Sequence, residues 1–304
     1  MIPDRYLLVT ADDFGIGPET SRGILELAAR GAVTSAVLLV NSPFAADAVA
    51  RWRTARRRLE LGWHPCLTLD APILPPEQVP SLVDGQGRFR SLGRFLARLA
   101  WGRINAAEVE AEFRAQYRRF VELVGHPPAN VNAHHHVHVF RPIGAALARV
   151  LADQGSPPFV RRVVESGRTL RHVPGARLKR RLLSYFGRRA VCGGLLAELP
   201  GNETLIGLTN PPGVRDPQFF ARWLRHAPGR LVELTCHPGH ADATLLDRDG
   251  TFSDGRLQRR PAEWKLLADP AFPAAVRDAG FTLVTAAQMR QLVDGGPSVR
   301  LAAA

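Results

Sequence analysis

Arg5-Tyr6-Leu7-Leu8-Val9-Thr10-Ala11-Asp12-Asp13-Phe14-Gly15 is a short β-type run that ends in two carboxylates. The same design recurs twice. Leu59-Glu60-Leu61-Gly62-Trp63 ends in His64, and Asn130-Val131-Asn132-Ala133 leads into His134-His135-His136-Val137-His138. That last tract holds four of the ten histidines of the chain. Neutral imidazole is the commonest protein ligand for zinc and similar metals, and a parallel α/β barrel gathers its catalytic groups at the C-terminal ends of its strands. Each piece alone has an ordinary explanation. Histidine tracts occur in solvated loops, Asp13 could cap the helix beginning near Pro18, and a lone His64 would be a hydrogen-bonded core residue. Three separate strands delivering metal-type side chains at the same end predict one shared metal site.

The rest of the chain alternates in the same way. Strand-like runs fall near 5–11, 33–40, 59–64, 130–134, 158–163, 204–208, 230–236 and 281–285, and amphipathic helices at 18–30, 43–57, 107–124, 142–154, 215–225, 261–268 and 271–279. Alternating β and α units favour a parallel sheet with helices outside it. The expected fold class is therefore α/β, one domain over 1–290 with a tail at 291–304. Two segments break the rhythm. Residues 65–106 carry the Pro75-Pro76 turn and a Gly-Gln-Gly loop, and residues 164–200 carry a dense basic patch. Both follow strand ends on the expected active-site side, where substrate-binding loops belong.

At 304 residues with 45% hydrophobic content, the chain can bury a substantial core. No apolar stretch reaches the roughly 20 residues needed to span a bilayer, and the N-terminus lacks the apolar core of a signal peptide. Three well-separated cysteines imply no disulfide framework, so a cytoplasmic setting is expected. The net charge of +12 includes arginines 51, 53 and 56–58, the ordinary solubilising surface of an arginine-favouring genome. Residues 177–189 differ, because they interleave Arg and Lys with Leu, Tyr and Phe, as a segment lying on an anionic membrane does. Arg180, Arg181, Arg188 and Arg189 are the charges expected to make that contact. No nucleic-acid-binding motif accompanies the charge.

These motifs resemble those of the YdjC-like (ChbG-like) carbohydrate deacetylases. Ala11-Asp12-Asp13-Phe14-Gly15, Leu61-Gly62-Trp63-His64 and the cluster at 134 carry the likeness, with Val33-Thr34-Ser35, Val40-Asn41 and Glu233-Leu234-Thr235-Cys236-His237-Pro238-Gly239. Asn132-Ala133-His134 and Cys236-His237-Pro238-Gly239 look most like the branch associated with hopanoid biosynthesis (HpnK-type). His135-His136-Val137 stands where that branch often has Lys-x-Phe. The resemblance implies an irregular (β/α) barrel, TIM-barrel-like, with parallel strands and outer helices. It also implies removal of N-acetyl groups from amino sugars with one divalent metal, held by Asp13, His64 and His134. Zinc suits that set, with Mg, Mn, Co and Ni as alternatives.

In the same reading Asp12 is the general base, His237 the general acid with His240 as a weaker substitute, and Asn41 lies near substrate. His136 and His138 are further substrate candidates, and one of the clustered histidines could orient a ligand. His135 could face solvent. The implied substrate is an N-acetylglucosamine attached to a hopanoid lipid, with a soluble chitooligosaccharide as the alternative. A metal-dependent phosphoesterase and a non-catalytic sugar-lipid binding protein are the rival classes. Adjacent Asp12 and Asp13 cannot supply the separated carboxylates of a glycosidase. Neighbouring residues on a strand point to opposite faces, so the site requires the backbone to turn at Asp12-Asp13.

Overall fold

The computed structural model describes residues 4–55, 59–192, 194–251 and 253–294. Eight strands form one sheet: β1 (Arg5–Phe14), β2 (Ser35–Leu38), β3 (Glu60–Trp63), β4 (Asn130–Val131), β5 (Phe159–Val160), β6 (Thr204–Ile206), β7 (Leu231–Cys236) and β8 (Phe281–Val284). Seven run in the order β5-β4-β3-β2-β1-β7-β6, β8 pairs with β1, and every pairing is parallel. β7 occupies one edge of β1 along Tyr6–Ala11, so β8 (against Arg5–Leu8) and β2 (against Thr10–Phe14) share the other edge. Among the described residues the outer strands β5 and β6 form no ladder. Loop hydrogen bonds close the gap, Val160 N–H to Pro200 O at 2.7 Å and Leu205 N–H to Val164 O at 2.8 Å. This is the irregular barrel that the sequence led us to expect.

Helices cover the outside: α1 (Pro18–Ala29), α2 (Ala45–Thr54), α3 (Leu92–Ala100), α4 (Ala106–Val124), α5 (Arg141–Ala152), α6 (Gly167–His172), α7 (Arg177–Cys192), α8 (Phe219–His226), α9 (Arg256–Ala268), α10 (Ala271–Asp278) and α11 (Ala286–Asp294). The expected tail at 291–304 begins instead inside α11, which runs to Asp294, and its remainder from 295 onward, with the expected end of the second helix at 56–57 and the arginines 56–58, lies outside the described residues. With a helix layer outside and packed side chains inside, β1 is buried on both faces, and Leu7, Leu8, Val9 and Ala11 are fully inaccessible. Trp63 of β3 packs edge-on against Phe113 and Tyr117 of α4, with ring centroids 5.8 and 5.7 Å away.

The two irregular segments are more ordered than their sequence suggests. Glu112, which the helical pattern places on the solvent face of α4, is buried and accepts from the amides of Ile73 and Leu74 at 2.9 and 3.0 Å. Gln116, one turn on, accepts from the Cys66 amide at 3.0 Å. Together they pin the loop after β3, and the chain then builds α3. Segment 164–200 contains α6 and α7. Arg180 of α7 is buried in a forked pair with Glu165, donates to the carbonyls of Val173, Gly175 and Thr169, and lies 4.4 Å over the Trp223 ring. Arg180 therefore anchors α7 and is not one of its outward charges. Arg188 is also engaged, donating to the Glu165 carbonyl at 2.9 Å.

Candidate metal centre and active-site cavity

The required backbone turn is a β-bulge. Ala11 pairs with Ala36 and Phe14 with Leu38, so three steps along β1 face two along β2. Asp13 sits at φ 65°, a left-handed conformation that aspartate tolerates better than most residues. The extra residue cancels strand alternation, and Asp12 and Asp13 both line one cavity. Gly15, at φ +82°, completes the turn against Leu38 and Ala45, where a side chain would collide.

Two histidines converge on one oxygen of Asp13. The His64 Nδ1–H donates to the Asn132 carbonyl at 2.7 Å, which leaves the lone pair on Nε2, 3.3 Å from Asp13 Oδ1. His134 Nδ1 lies 3.0 Å from the same oxygen, and its Nε2 is buried without a partner. Arg260 takes the other oxygen, Oδ2, at 2.8 Å and also pairs with Asp249 at 2.6 Å. Burial pushes the Asp13 carboxyl up, but Arg260 and His134 outweigh it and hold the group well below the usual carboxylate range. Two ligand atoms each about 2.1 Å from a shared zinc ion stand roughly 3.0–3.5 Å apart. Asp13, His64 and His134, whose donor atoms lie within 4.8 Å of one another, fit a divalent metal.

Asp12 lies beside this group in a different net. Arg161, from the end of β5, grips it with two bonds of 2.6 and 2.8 Å, and Thr235 Oγ1 donates at 3.1 Å. Arg161 also donates to Glu233 at 2.9 Å. Burial alone would raise the Asp12 carboxyl, yet the guanidinium holds it ionised, far below the ordinary range. His237 Nε2 is 3.8 Å from Asp12 Oδ2. The other side of that ring is engaged by α9: Arg259 Nη2 is 3.1 Å from Nδ1, Arg259 Nε donates to Glu263 at 2.5 Å, and Glu263 accepts from the His237 amide at 2.5 Å.

The histidine cluster works because it is not a strand. His135 and His136 both have positive φ, 55° and 57°, at a cost of about 1–2 kcal/mol each, and this coil sends successive rings in different directions. His134 faces Asp13. His135 bonds Thr68 Oγ1 at 2.9 Å and lies against the His134 ring at 4.0 Å, lining the cavity rather than facing solvent. His136 also lines the cavity, 7% exposed, with Nδ1 unpartnered.

Three expected positions lie elsewhere. His138 Nδ1 accepts from the Ala133 amide at 3.3 Å and Nε2–H donates to the Arg161 carbonyl at 3.1 Å. Both ring nitrogens are spent on backbone, so His138 positions Arg161 and is not a substrate group. Burial holds its imidazole down to about 4. Asn41 donates to the carbonyls of Leu69 and Ala71 at 2.8 and 3.2 Å, tying down the loop after β3. His240 is 2.8 Å from Glu26 of α1 and packs on Trp264, outside the cavity lining, so it is no substitute for His237.

The cavity measures about 860 Å³. Its floor is the polar group just described. Its walls include Leu92, Leu96 and Leu99 of α3 and Leu182, Leu183 and Phe186 of α7. The exposed large apolar side chains among the described residues are Trp101 (77%), Leu178 (73%), Tyr185 (54%) and Leu182 (50%), all on these two helices or at the end of α3.

Arg161, Arg259, Arg260, Glu263 and Asp249 escape the sequence reading, and Glu233 enters it only as part of a motif, without a role. For one of them a signal was present: Glu233 is a lone charge inside the otherwise apolar run 231–236, and a buried charge needs a partner. Nothing local marks the α9 residues, which meet the strand ends only in the fold.

A family model described as YdjC-like protein matches residues 6–278. A chitooligosaccharide deacetylase of Klebsiella pneumoniae (strain 342) is 31% identical over 283 residues, covering 93% of this chain and 98% of the relative. A carbohydrate deacetylase of Enterococcus faecalis is 29% identical and covers 92% and 96%. A crystal structure from E. faecalis V583, provisionally described as a cellobiose-phosphate cleavage protein, superposes with a TM-score of 0.75 at 24% identity, covering 94% and 99%, and shares the fold. The chain belongs to the YdjC-like family.

Proposed function

We propose that this YdjC-like chain is a metal-dependent carbohydrate N-deacetylase that removes the acetyl group from an N-acetylglucosamine carried on a lipid, a glycosylated hopanoid first of all. The observation that carries the reading is a juxtaposition within one cavity. A converging Asp13–His64–His134 donor set forms the floor, and leucines and Phe186 form the walls. A sugar alone gives no reason for such walls, whereas a hydrocarbon aglycone does. The names of the curated relatives support the deacetylase chemistry, and the HpnK-type motifs support the hopanoid branch.

Asp13, His64 and His134 would hold the divalent ion, zinc first, with Mg, Mn, Co or Ni as alternatives. Such an ion polarises an amide carbonyl and makes water more acidic. The chain's own residues do the rest. Arg161 and Thr235 hold the Asp12 carboxylate, and in this reading it would accept the proton of the attacking water. The apolar walls exclude bulk water and so strengthen each charge interaction on the floor. His237, just past the end of β7, lines the same cavity and would meet the scissile amide there. His136, with its free Nδ1, is the best-placed substrate contact of the cluster.

Helix α7 and the end of α3 expose apolar side chains beside outward arginines, and residues 92–103 and 177–192 contain no carboxylate. This composition supports peripheral attachment to an anionic, cytoplasmic membrane face. No described helix is long and apolar enough to cross a membrane. The 31% identity to a chitooligosaccharide deacetylase favours a second reading, a soluble oligosaccharide substrate. Acetate release decides between them, measured on an N-acetylglucosaminyl hopanoid and on N,N′-diacetylchitobiose with chelated and zinc-restored protein. Metal-dependent release from the lipid supports the first reading. Release from chitobiose alone moves the substrate to soluble sugars, and release from neither overturns the deacetylase assignment.

A further inference from the structure

The His237 ring is held in a manner at odds with cationic acid catalysis. A guanidinium can only donate, so the 3.1 Å contact makes Nδ1 the acceptor of an Arg259 hydrogen. The one hydrogen of the neutral ring then sits on Nε2, which faces Asp12 and the cavity. Arg259 cannot swing away freely. Glu263, itself buried, binds Arg259 Nε with one oxygen and the His237 amide with the other, closing a ring of three bonds. The charged groups around the imidazole are Asp12 and Asp13 from β1 and Arg259, Arg260 and Glu263 from α9. The carboxylates favour a second ring proton. That proton would have to enter at Nδ1, against Arg259, and burial opposes it as well.

We propose that Arg259, oriented by Glu263, is a positioning residue that fixes His237 as a neutral imidazole with its hydrogen on Nε2, so that His237 serves as a hydrogen-bond donor to the amide oxygen rather than as a cationic acid. The inference rests on the deacetylase reading for its chemistry, though not for its geometry. Water oxygen bonds to the acetyl carbon as its proton passes to Asp12. The carbonyl π pair moves onto oxygen, where Nε2–H stabilises the charge. The carbonyl re-forms, the C–N bond breaks, and the proton held by Asp12 goes to the departing nitrogen. The products are the free amine and acetic acid, which ionises in solvent. No second proton donor is needed.

The test uses zinc-loaded full-length protein labelled with 15N in histidine. Ring nitrogen shifts of His237 should show Nδ1 bare and Nε2 protonated from pH 8 to 5. Arg259→Lys should preserve that pattern, and Arg259→Met should let the ring take up a second proton in this range. A protonated Nδ1 in the wild type, or an Arg259→Met titration identical to wild type, overturns the clamp. Kinetics then test the role. His237→Gln keeps an N–H donor but cannot carry a proton, so it should retain at least tenfold more kcat than His237→Ala. Removal of a single oxyanion donor costs roughly 100- to 1000-fold, so that gap is measurable. Equal loss in the two variants overturns the donor role. If wild-type protein releases no acetate from any acetylated sugar, the deacetylase reading fails, and the nitrogen shifts still decide the clamp.

Discussion

The floor and the rim of the cavity are built on opposite principles. The floor is made of strand ends, and its charged groups and first histidine are each held by a neighbour: Asp13 by Arg260, Asp12 by Arg161, His64 by the Asn132 carbonyl. The rim is made of α3 and α7, supplied by the two irregular segments, and presents Leu, Trp and Tyr to solvent with few partners. A floor this constrained suits one reaction. A rim this exposed can change its ligand without disturbing that reaction, so chemistry and substrate choice should respond to mutation separately.

The largest effects belong to the floor. His134→Ala or Asp13→Ala should remove stoichiometric zinc binding, read by metal analysis after dialysis, and lower kcat by a thousandfold or more. Retained zinc in both variants would break the proposed donor set. Asp12→Asn should remove turnover while zinc stays bound, because Asp12 lies outside the donor group. Arg161→Met leaves Asp12 and Glu233 buried without their cation, and breaking a buried pair costs about 3–5 kcal/mol. That loss should appear in urea denaturation, and an unchanged midpoint would show that Arg161 does not hold the floor together.

A smaller effect concerns acid. His138 is neutral in the fold down to about 4, whereas an unfolded histidine takes up its proton near pH 6.5. Between those values the unfolded chain binds more protons, so stability rises with pH across this window and falls as acid is added. Asp12, whose carboxyl is depressed, contributes stability that is fully present above about pH 4 and is lost only below it. Denaturation midpoints at pH 7.5 and 5 should therefore differ in wild type and differ less in His138→Gln. Equal differences would remove His138 from the account.

The smallest structural effects belong to the rim. Trp101→Ser, Leu178→Ser and Tyr185→Ser should each change stability by no more than about 0.5 kcal/mol, as exposed substitutions do. They should nevertheless weaken co-sedimentation with phosphatidylglycerol-containing vesicles. Arg181 and Arg189 are the α7 arginines to neutralise in the same assay, since Arg180 and Arg188 are spent on Glu165.

The strand ends were legible because a strand announces itself by apolar composition and a metal ligand by residue type. All eight strands fall where the runs predict, and Asp13, His64 and His134 come together from segments up to 121 residues apart. What sequence hides is direction. The bulge at Asp13 and the paired positive φ at His135–His136 decide which rings enter the cavity, and neither position is a glycine that would advertise it. His138 and His136 look alike in the tract and do unlike things. Helix α3 went unread because it lies in a segment marked by the Pro75-Pro76 turn and the Gly-Gln-Gly loop, although Leu92, Phe95, Leu96 and Leu99 recur at helical spacing. Arg180 looks like its basic neighbours until the fold brings Glu165 beneath it.

The most direct test of the separation between floor and rim is the ratio of kcat/KM for an N-acetylglucosaminyl hopanoid to that for N,N′-diacetylchitobiose, measured for wild type and for the Trp101→Ser/Leu178→Ser/Tyr185→Ser triple variant. The account predicts a ratio that falls tenfold or more in the variant, with chitobiose turnover unchanged. A ratio that does not move, or a parallel loss on both substrates, would contradict it.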